Sequence, residues 1–229
     1  MDGGSTLDLN LDGTTALTAG IGALVIAGWT GRDQTAMEAH MVELEALGIA
    51  RPKTTPIFYR VAALLLTTDA EIQVAGTDSS GEVEAVILSL PDGLHIGVGS
   101  DHTDRKVEAY NITVSKQACA KPLGPRLWRF DEVADHWDDL VLRSWTTVAG
   151  QRRAYQEGSA ARMRHPFDLM ERYLGPGKTL PVGTAMFCGT LPVIGSIEPG
   201  ELFEIELEDP IAGRTLAHRY ATKTLPIEG

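Results

Sequence analysis

GEVEAVILSLPDGLHIGVGSDHTDRK, running from Gly81 to Lys106, is the stretch on which the fold turns. Glu82–Leu90 is rich in Val, Ile and Leu, Pro91-Asp92-Gly93 is turn chemistry, and Leu94–Val98 supplies a second arm, so the segment predicts a β-hairpin. Side chains alternate along a strand, which puts Glu82 and Glu84 on one face about 7 Å apart. That face continues as Val86 and Leu88, while Val83, Ala85 and Ile87 point the other way. Both faces are apolar beyond the carboxylates, as expected of a strand inside a barrel-like sheet whose open end carries the acids. A hairpin also returns the chain to its starting end, which brings Asp101 beside the two glutamates. Parallel carboxylates repel one another unless a positive group sits between them, and a hard divalent ion with oxygen ligands, Mg²⁺ or Mn²⁺, meets that need. A plainer reading puts Glu82 and Glu84 in water at a strand edge and makes Asp101 the cap of a following helix. Spacing alone leaves both readings open.

Working outward, Asp33–Leu47 has helical period, with Met37, Met41 and Leu44 as its apolar stripe, Thr30 or Asp33 as cap, and Gly48 and Pro52 as stop. Upstream, Ala16–Gly28 (ALTAGIGALVIAG) is too short and Gly-rich for a membrane span and has no basic flank, so it reads as a buried strand. Residues 1–15 read as an extension adding a strand at Leu7, Leu9 and Leu11. Downstream, Arg60–Thr67 and Glu71–Ala75 are short β-type runs, and Asp104–Ala120 is helical until Pro122-Leu123-Gly124-Pro125 breaks it. Val133–Trp145 is ambiguous, Pro166–Leu174 is a short helix, and Val182–Cys188, Phe203–Glu208 and Arg214–Tyr220 are strands. Strands dominate and helices interrupt them, which predicts an α+β fold built on a mixed β-roll or barrel-like sheet.

The 229 residues suffice for one domain with a core that needs no staples. A net charge of −11 argues against a nucleic-acid partner but allows a small anionic substrate held by local cations. The two cysteines, Cys119 and Cys188, lack metal spacing and read as free thiols of a cytoplasmic protein that needs no membrane. A zinc site from His95, His102 and His165 has no supporting spacing.

The order E-x-E, hairpin, D-x-T-x-R resembles the metal-binding core of the fumarylacetoacetate hydrolase superfamily. Here it reads Glu82-Val83-Glu84, then Asp101-His102-Thr103-Asp104-Arg105. The likeness continues in order through a Lys before Pro122–Pro125, Tyr155-Gln156-Glu157-Gly158, Gly189-Thr190-Leu191-Pro192 and the closing strands of Ser196–Tyr220. More narrowly, the chain is similar to the DUF2848 type of that superfamily.

The resemblance implies a homodimer of mixed β-rolls, residues 16–229 forming one catalytic domain, and Mg²⁺ or Mn²⁺ on Glu82, Glu84 and Asp101. It implies a catalytic His40–Glu43 pair on a helical lid over residues 33–47, with Lys116 or Lys121 as a second positive group. Substrate contacts fall on Tyr59, Arg60, Arg105, Gln156 and Thr190. Lys106 stands where relatives often have a second Asp, and Arg60 where many have Lys; with Arg162 and Arg164 this suggests a more anionic substrate. The implied activity is hydrolysis of a small 2-oxo acid or 1,3-dicarbonyl, of the acylpyruvate type. Decarboxylation, hydration or dehydration, and keto–enol isomerisation share the same enolate chemistry, and a non-catalytic metal- or partner-binding module is the rival of another class.

Overall fold

The computed structural model describes residues 4–46 and 51–228. Its centre is the Val83–Leu90 strand, in which every residue is buried. A residue buried on either face of a strand must be apolar or fully paired, and this one divides two cores. Val83, Ala85 and Ile87 pack into one with Trp128, Phe130, Trp137, Ile205 and Leu207. Val86 and Leu88 pack into the other with Leu24, Ile26, Tyr59 and Phe187. Removing so completely buried a side chain as Ile87 would cost about 2–5 kcal/mol.

The strand lies inside a curled eight-stranded sheet. The spatial order is Thr15–Ile21, Ser5–Leu11, Arg126–Arg129, Gly93–Ser100, Val83–Leu90, Thr184–Thr190, Ala23–Gly28 and Ile57–Val61. Val83–Leu90 runs antiparallel to both neighbours, with Ile87 opposite Ile96 on one side and Met186 on the other. Thr184–Thr190 pairs in parallel with Ala23–Gly28, so the sheet is mixed. A second, five-stranded sheet is ordered Gln151–Ser159, Val141–Val148, Leu202–Asp209, Arg214–Leu225 and Glu71–Ala75. It contributes Ile205, Leu207 and Leu216 to the first core.

Among the described residues four α-helices interrupt the strands: α1 (Gln34–Ala46), α2 (Arg105–Glu108), α3 (Ile112–Ala118) and α4 (Pro166–Leu174). The first buries Met37 and Met41, two residues of the anticipated stripe. The run expected as one helix over Asp104–Ala120 is split, because two side chains cap separate starts. Asp104 Oδ1 accepts from Val107 N, and Asn111 Oδ1 accepts from Val114 N.

The expected single strand Ala16–Gly28 is likewise two, Thr15–Ile21 and Ala23–Gly28. At the break, the Gly22 and Ala23 amides both donate to Gly183 O, at 2.8 and 3.2 Å. Ser5–Leu11 pairs along its length with Thr15–Ile21 and buries Leu7 and Leu9, so it is part of the main sheet. The ambiguous Val133–Trp145 resolves into a 3₁₀ segment, Ala134–Asp139, and the start of strand Val141–Val148. Cys119 and Cys188 are free and buried. Among the described residues no helix is long and apolar enough to cross a membrane.

Candidate metal centre

The hairpin sets the site. Gly93–Ser100 returns beside Val83–Leu90, and the Asp101 amide donates to Glu82 O at 3.0 Å. One carboxylate oxygen from each of Glu82, Glu84 and Asp101 lies within 4.8 Å of the others. Asp101 is fully buried and Glu84 nearly so. Burial, then the charges of Asp101 and Glu82, hold the Glu84 carboxyl well above its usual range. The Gly189 amide answers it at 2.6 Å on Oε2. The helix-capping alternative for Asp101 is excluded, because Asp104 caps α2.

An all-oxygen set of clustered, buried carboxylates fits a hard divalent cation. Among the described residues the buried Asp101 Oδ1 faces only Lys121 Nζ, at 3.2 Å, so at least one of its lone pairs is left for a ligand. The histidines considered for zinc are dispersed. His102 spans Tyr220 Oη and Ser79 Oγ, each at 3.0 Å, while His165 accepts from Phe167 N at the start of α4.

A cationic shell surrounds the carboxylates. Lys116 Nζ donates to Asp101 Oδ2 and lies 3.8 Å from Glu82 Oε2. Lys121 Nζ faces Asp101 Oδ1 and donates to His102 O at 2.6 Å. Both lysines are therefore in the site, one on each oxygen of a single aspartate. Burial pushes the Asp101 carboxyl up, but the two ammonium groups outweigh it and the net displacement is downward.

Lys121 has no exposed side-chain surface, whereas Lys116 keeps 8% of its side chain exposed, with Nζ 5.7 Å from the Tyr59 ring centroid. Arg105 Nη1 bridges Glu82 Oε1 at 2.9 Å and Glu108 Oε2 at 2.8 Å, and its Nε donates to Ser80 Oγ at 2.7 Å. Those contacts make Arg105 a brace for Glu82, and its buried Nη2 has no partner among the described residues, which leaves a donor for the substrate contact expected of it. Glu108 and Ser80 were missed in the sequence. The signal for Glu108 was its i,i+3 spacing from Arg105 on α2.

The Tyr155–Gly158 and Gly189–Pro192 motifs serve the central strand. The Thr184–Thr190 strand changes register between Phe187 and Thr190, so the backbone of Val83 is met by side chains. Gln156 Oε1 accepts from Val83 N at 2.9 Å and from Ser144 Oγ at 3.1 Å. Gln156 Nε2 donates to Thr190 Oγ1 at 2.8 Å and Leu191 O at 2.6 Å, and Thr190 Oγ1 donates to Val83 O at 2.8 Å. A side-chain amide has two donors and two lone pairs, all used here, so Gln156 has nothing left for the substrate contact expected of it. Gly189 makes this turn at φ 98°, where a Cβ would stand 1.8 Å from Thr30 Oγ1.

Tyr59 and Arg60 alternate on the Ile57–Val61 strand. Tyr59 is buried toward Lys116, while Arg60 is exposed and donates to Tyr173 Oη at 3.0 Å. It shares a cleft with Gly20, Gly22, Val182 and Thr184. Thr184 sits opposite Ser89, whereas Thr190 sits opposite Glu84, so that cleft is at the far end of the sheet from the carboxylates. Strand parity therefore places Arg60, expected as a substrate contact, on the opposite face of its strand from Tyr59. Arg164 is paired with Asp168 at 3.0 Å and forms no anion cluster with Arg60. His40 and Glu43 fall on α1 at i,i+3, and their side chains lie outside the described residues.

Solved structures share this architecture. A candidate fumarylacetoacetate isomerase/hydrolase from Oleispira antarctica aligns with TM-score 0.66 at 18% identity, over 94% of this chain and 99% of its own. A candidate fumarylpyruvate hydrolase from Burkholderia cenocepacia gives 0.62 at 19%, over 99% and 95%. A 2-keto-3-deoxy-D-arabinonate dehydratase complexed with magnesium and 2,5-dioxopentanoate gives 0.62 at 17%, over 90% and 74%. At these identities the likeness is one of fold. No curated protein matches the chain in sequence. The family model described as "Protein of unknown function (DUF2848)" matches residues 27–220, and the chain, with the fold of fumarylacetoacetate hydrolase proteins, belongs to the DUF2848 family.

Proposed function

We propose that this protein is a divalent-metal-dependent enzyme that hydrolyses a carbon–carbon bond in a small 2-oxo acid or 1,3-dicarbonyl of the acylpyruvate type. The observation that carries the reading is the oxygen cluster of Glu82, Glu84 and Asp101 within 4.8 Å, most of it buried. Water-excluded carboxylates with a surplus of negative charge are costly without a cation, so the cluster has a ligand's chemistry. Mg²⁺ or Mn²⁺ held there would supply Lewis-acid stabilisation of the charge that develops on the substrate's 2-oxo oxygen.

The protein's own groups fix the frame for that chemistry. Lys116 and Lys121 hold Asp101, Arg105 holds Glu82, and the Gly189 amide holds Glu84. Lys116, the less buried of the two lysines, is the one proposed to meet a substrate carboxylate. The His40–Glu43 pair that the family resemblance implies would take the proton from the oxygen of the attacking water and return it to the departing carbon. A homodimer in the cytoplasm, implied by the family resemblance, belongs to the same proposal.

Dehydration is the second reading. The magnesium-complexed arabinonate dehydratase matches the fold with the same TM-score as the fumarylpyruvate hydrolase relative. Calorimetric titration of oxalate, a planar stand-in for the pyruvate enolate, into EDTA-stripped protein tests the centre. Binding only with Mg²⁺, and lost in Glu82→Gln, is expected; no binding under either condition would overturn the proposal. Product analysis with acylpyruvates, oxaloacetate and 2-keto-3-deoxy acids then separates hydrolysis, decarboxylation and dehydration.

A further inference from the structure

We propose that Tyr220, on the second sheet, is the positioning residue of the metal centre: its one hydroxyl ties together the segments that carry Glu82 and Asp101 and so fixes how these two carboxylates face each other. The inference rests on the metal reading above and adds a residue that the reading did not use.

Tyr220 lies on the Arg214–Leu225 strand, fully buried, with its ring stacked 5.5 Å from that of Phe203. Its hydroxyl reaches the central hairpin of the other sheet. Oη is 2.7 Å from Ser100 Oγ and 3.0 Å from His102 Nδ1, the residues on either side of Asp101. The Asp101 carboxylate itself meets Lys116 and Lys121, so this short segment is held through three successive side chains. Ser100 Oγ also accepts from the Glu82 amide at 3.1 Å. Gly81, the residue before Glu82, completes the junction. A Cβ there would stand 2.5 Å from Tyr220 Oη and 2.8 Å from Ser100 Oγ.

Counting hydrogens gives this network a single direction. Ser100, His102 and Tyr220 have no exposed surface, so their polar hydrogens must find acceptors among their neighbours. A hydroxyl has one hydrogen and two lone pairs. Suppose Tyr220 donated to Ser100. Among the described residues Ser100 Oγ meets the Glu82 amide and Tyr220, both then donors, and its own hydrogen would have no acceptor. Ser100 therefore donates to Tyr220, and Tyr220 donates to His102 Nδ1. The neutral imidazole then carries its hydrogen on Nε2 and donates to Ser79 Oγ at 3.0 Å.

Removing the central oxygen strands the Ser100 hydrogen and the Nδ1 lone pair together. No member of the chain is charged, and none touches a carboxylate oxygen of the three candidate ligands, so its contribution is to geometry. An ion of the Mg²⁺ class demands near-ideal geometry, and groups that hold its ligands in place govern its affinity.

Electron paramagnetic resonance of Mn²⁺ in wild-type protein, Tyr220→Phe and Ile72→Ala tests the role. Tyr220→Phe keeps the ring and removes one oxygen. Ile72 packs in the same small cluster as Tyr220 and has no polar side-chain atom, so Ile72→Ala lowers stability without entering the hydrogen-bonded chain. Tyr220→Phe should weaken Mn²⁺ binding about tenfold and change the line shape of the bound ion. Ile72→Ala should alter neither. Separately, nitrogen NMR of labelled histidine should find the His102 hydrogen on Nε2, the resonance being identified by its loss in His102→Gln. Unchanged Mn²⁺ affinity in Tyr220→Phe, or an equal loss in Ile72→Ala, would refute the positioning role and leave the metal site standing. A hydrogen on Nδ1 would refute the chain as described. No Mn²⁺ binding by the wild type would remove the metal reading and this role together. If Tyr220→Phe fails to fold, Ser100→Ala takes its place with the same expected loss.

Discussion

Replacing Gln156 by Leu keeps the side-chain volume and removes all four of its hydrogen bonds, with little cavity contribution to confuse the result. The Ser144 and Thr190 hydroxyls can rotate, and Thr190 keeps its bond to Val83 O. The Val83 amide and the Leu191 carbonyl cannot turn, and both residues are at most 2% exposed. Each orphaned buried group costs about 1–3 kcal/mol, so the substitution should destabilise the protein by roughly 4 kcal/mol. That is a large share of a typical folding free energy. Urea unfolding of EDTA-stripped protein should show a lower midpoint with an unchanged slope. Val83 lies between Glu82 and Glu84, so loosening its backbone should also weaken Mn²⁺ binding by about tenfold, as for other groups that support metal ligands. A loss below about 1 kcal/mol with unaltered Mn²⁺ affinity would refute the bracing role.

Gly189→Ala demands a positive φ of a residue with a Cβ and drives that atom into Thr30. It should cost at least about 3 kcal/mol in urea unfolding; a near-neutral result would contradict the described turn. Arg60→Ala should leave Mg²⁺-dependent oxalate binding within about twofold of wild type, a shift under 0.5 kcal/mol of the kind expected of a distant surface change; a tenfold loss would restore Arg60 to the site. Burial, reinforced by Lys121 and Arg105, pulls the His102 imidazole down to about 3. The unfolded chain therefore binds a proton that the folded one refuses, and the stability from neutral His102 is complete above the unfolded value of 6.5 and lost as pH falls below it. From pH 6.5 to pH 5 the loss from this group is about 2 kcal/mol. His102→Gln should flatten that part of the urea midpoint–pH profile, and an unchanged profile would place its origin elsewhere.

The central hairpin was legible because its information is local: period-two alternation, one turn, and the return that brings Asp101 to Glu82. The Pro166–Leu174 helix was legible for the same reason, with Pro at its start and Gly175 past its end. Val141–Val148 and Gln151–Ser159 were not. Their partner faces are ladders of charge, such as Arg143 with Glu157 and Glu208, and no hydrophobic period announces them. In the site, residue type read correctly where one carboxylate meets another, but strand parity and amide valence decided Arg60 and Gln156. Neither is visible until neighbouring strands are in register. That Lys116 and Lys121 hold the same aspartate needed the fold as well, since α3 and the short strand after it place them on opposite oxygens.

The Val83–Leu90 strand is paired on both edges and covered on both faces, which leaves its amides no local route to water. Their hydrogen exchange should therefore keep pace only with global unfolding, the slowest clock in the molecule. Glu84 rides on that strand, so its carboxylate is carried by the slowest-opening part of the fold. Thr30, against Gly189, and α1, which starts at Gln34, lie outside it, so substitutions there should alter ligand exchange sooner than they alter the position of Glu84.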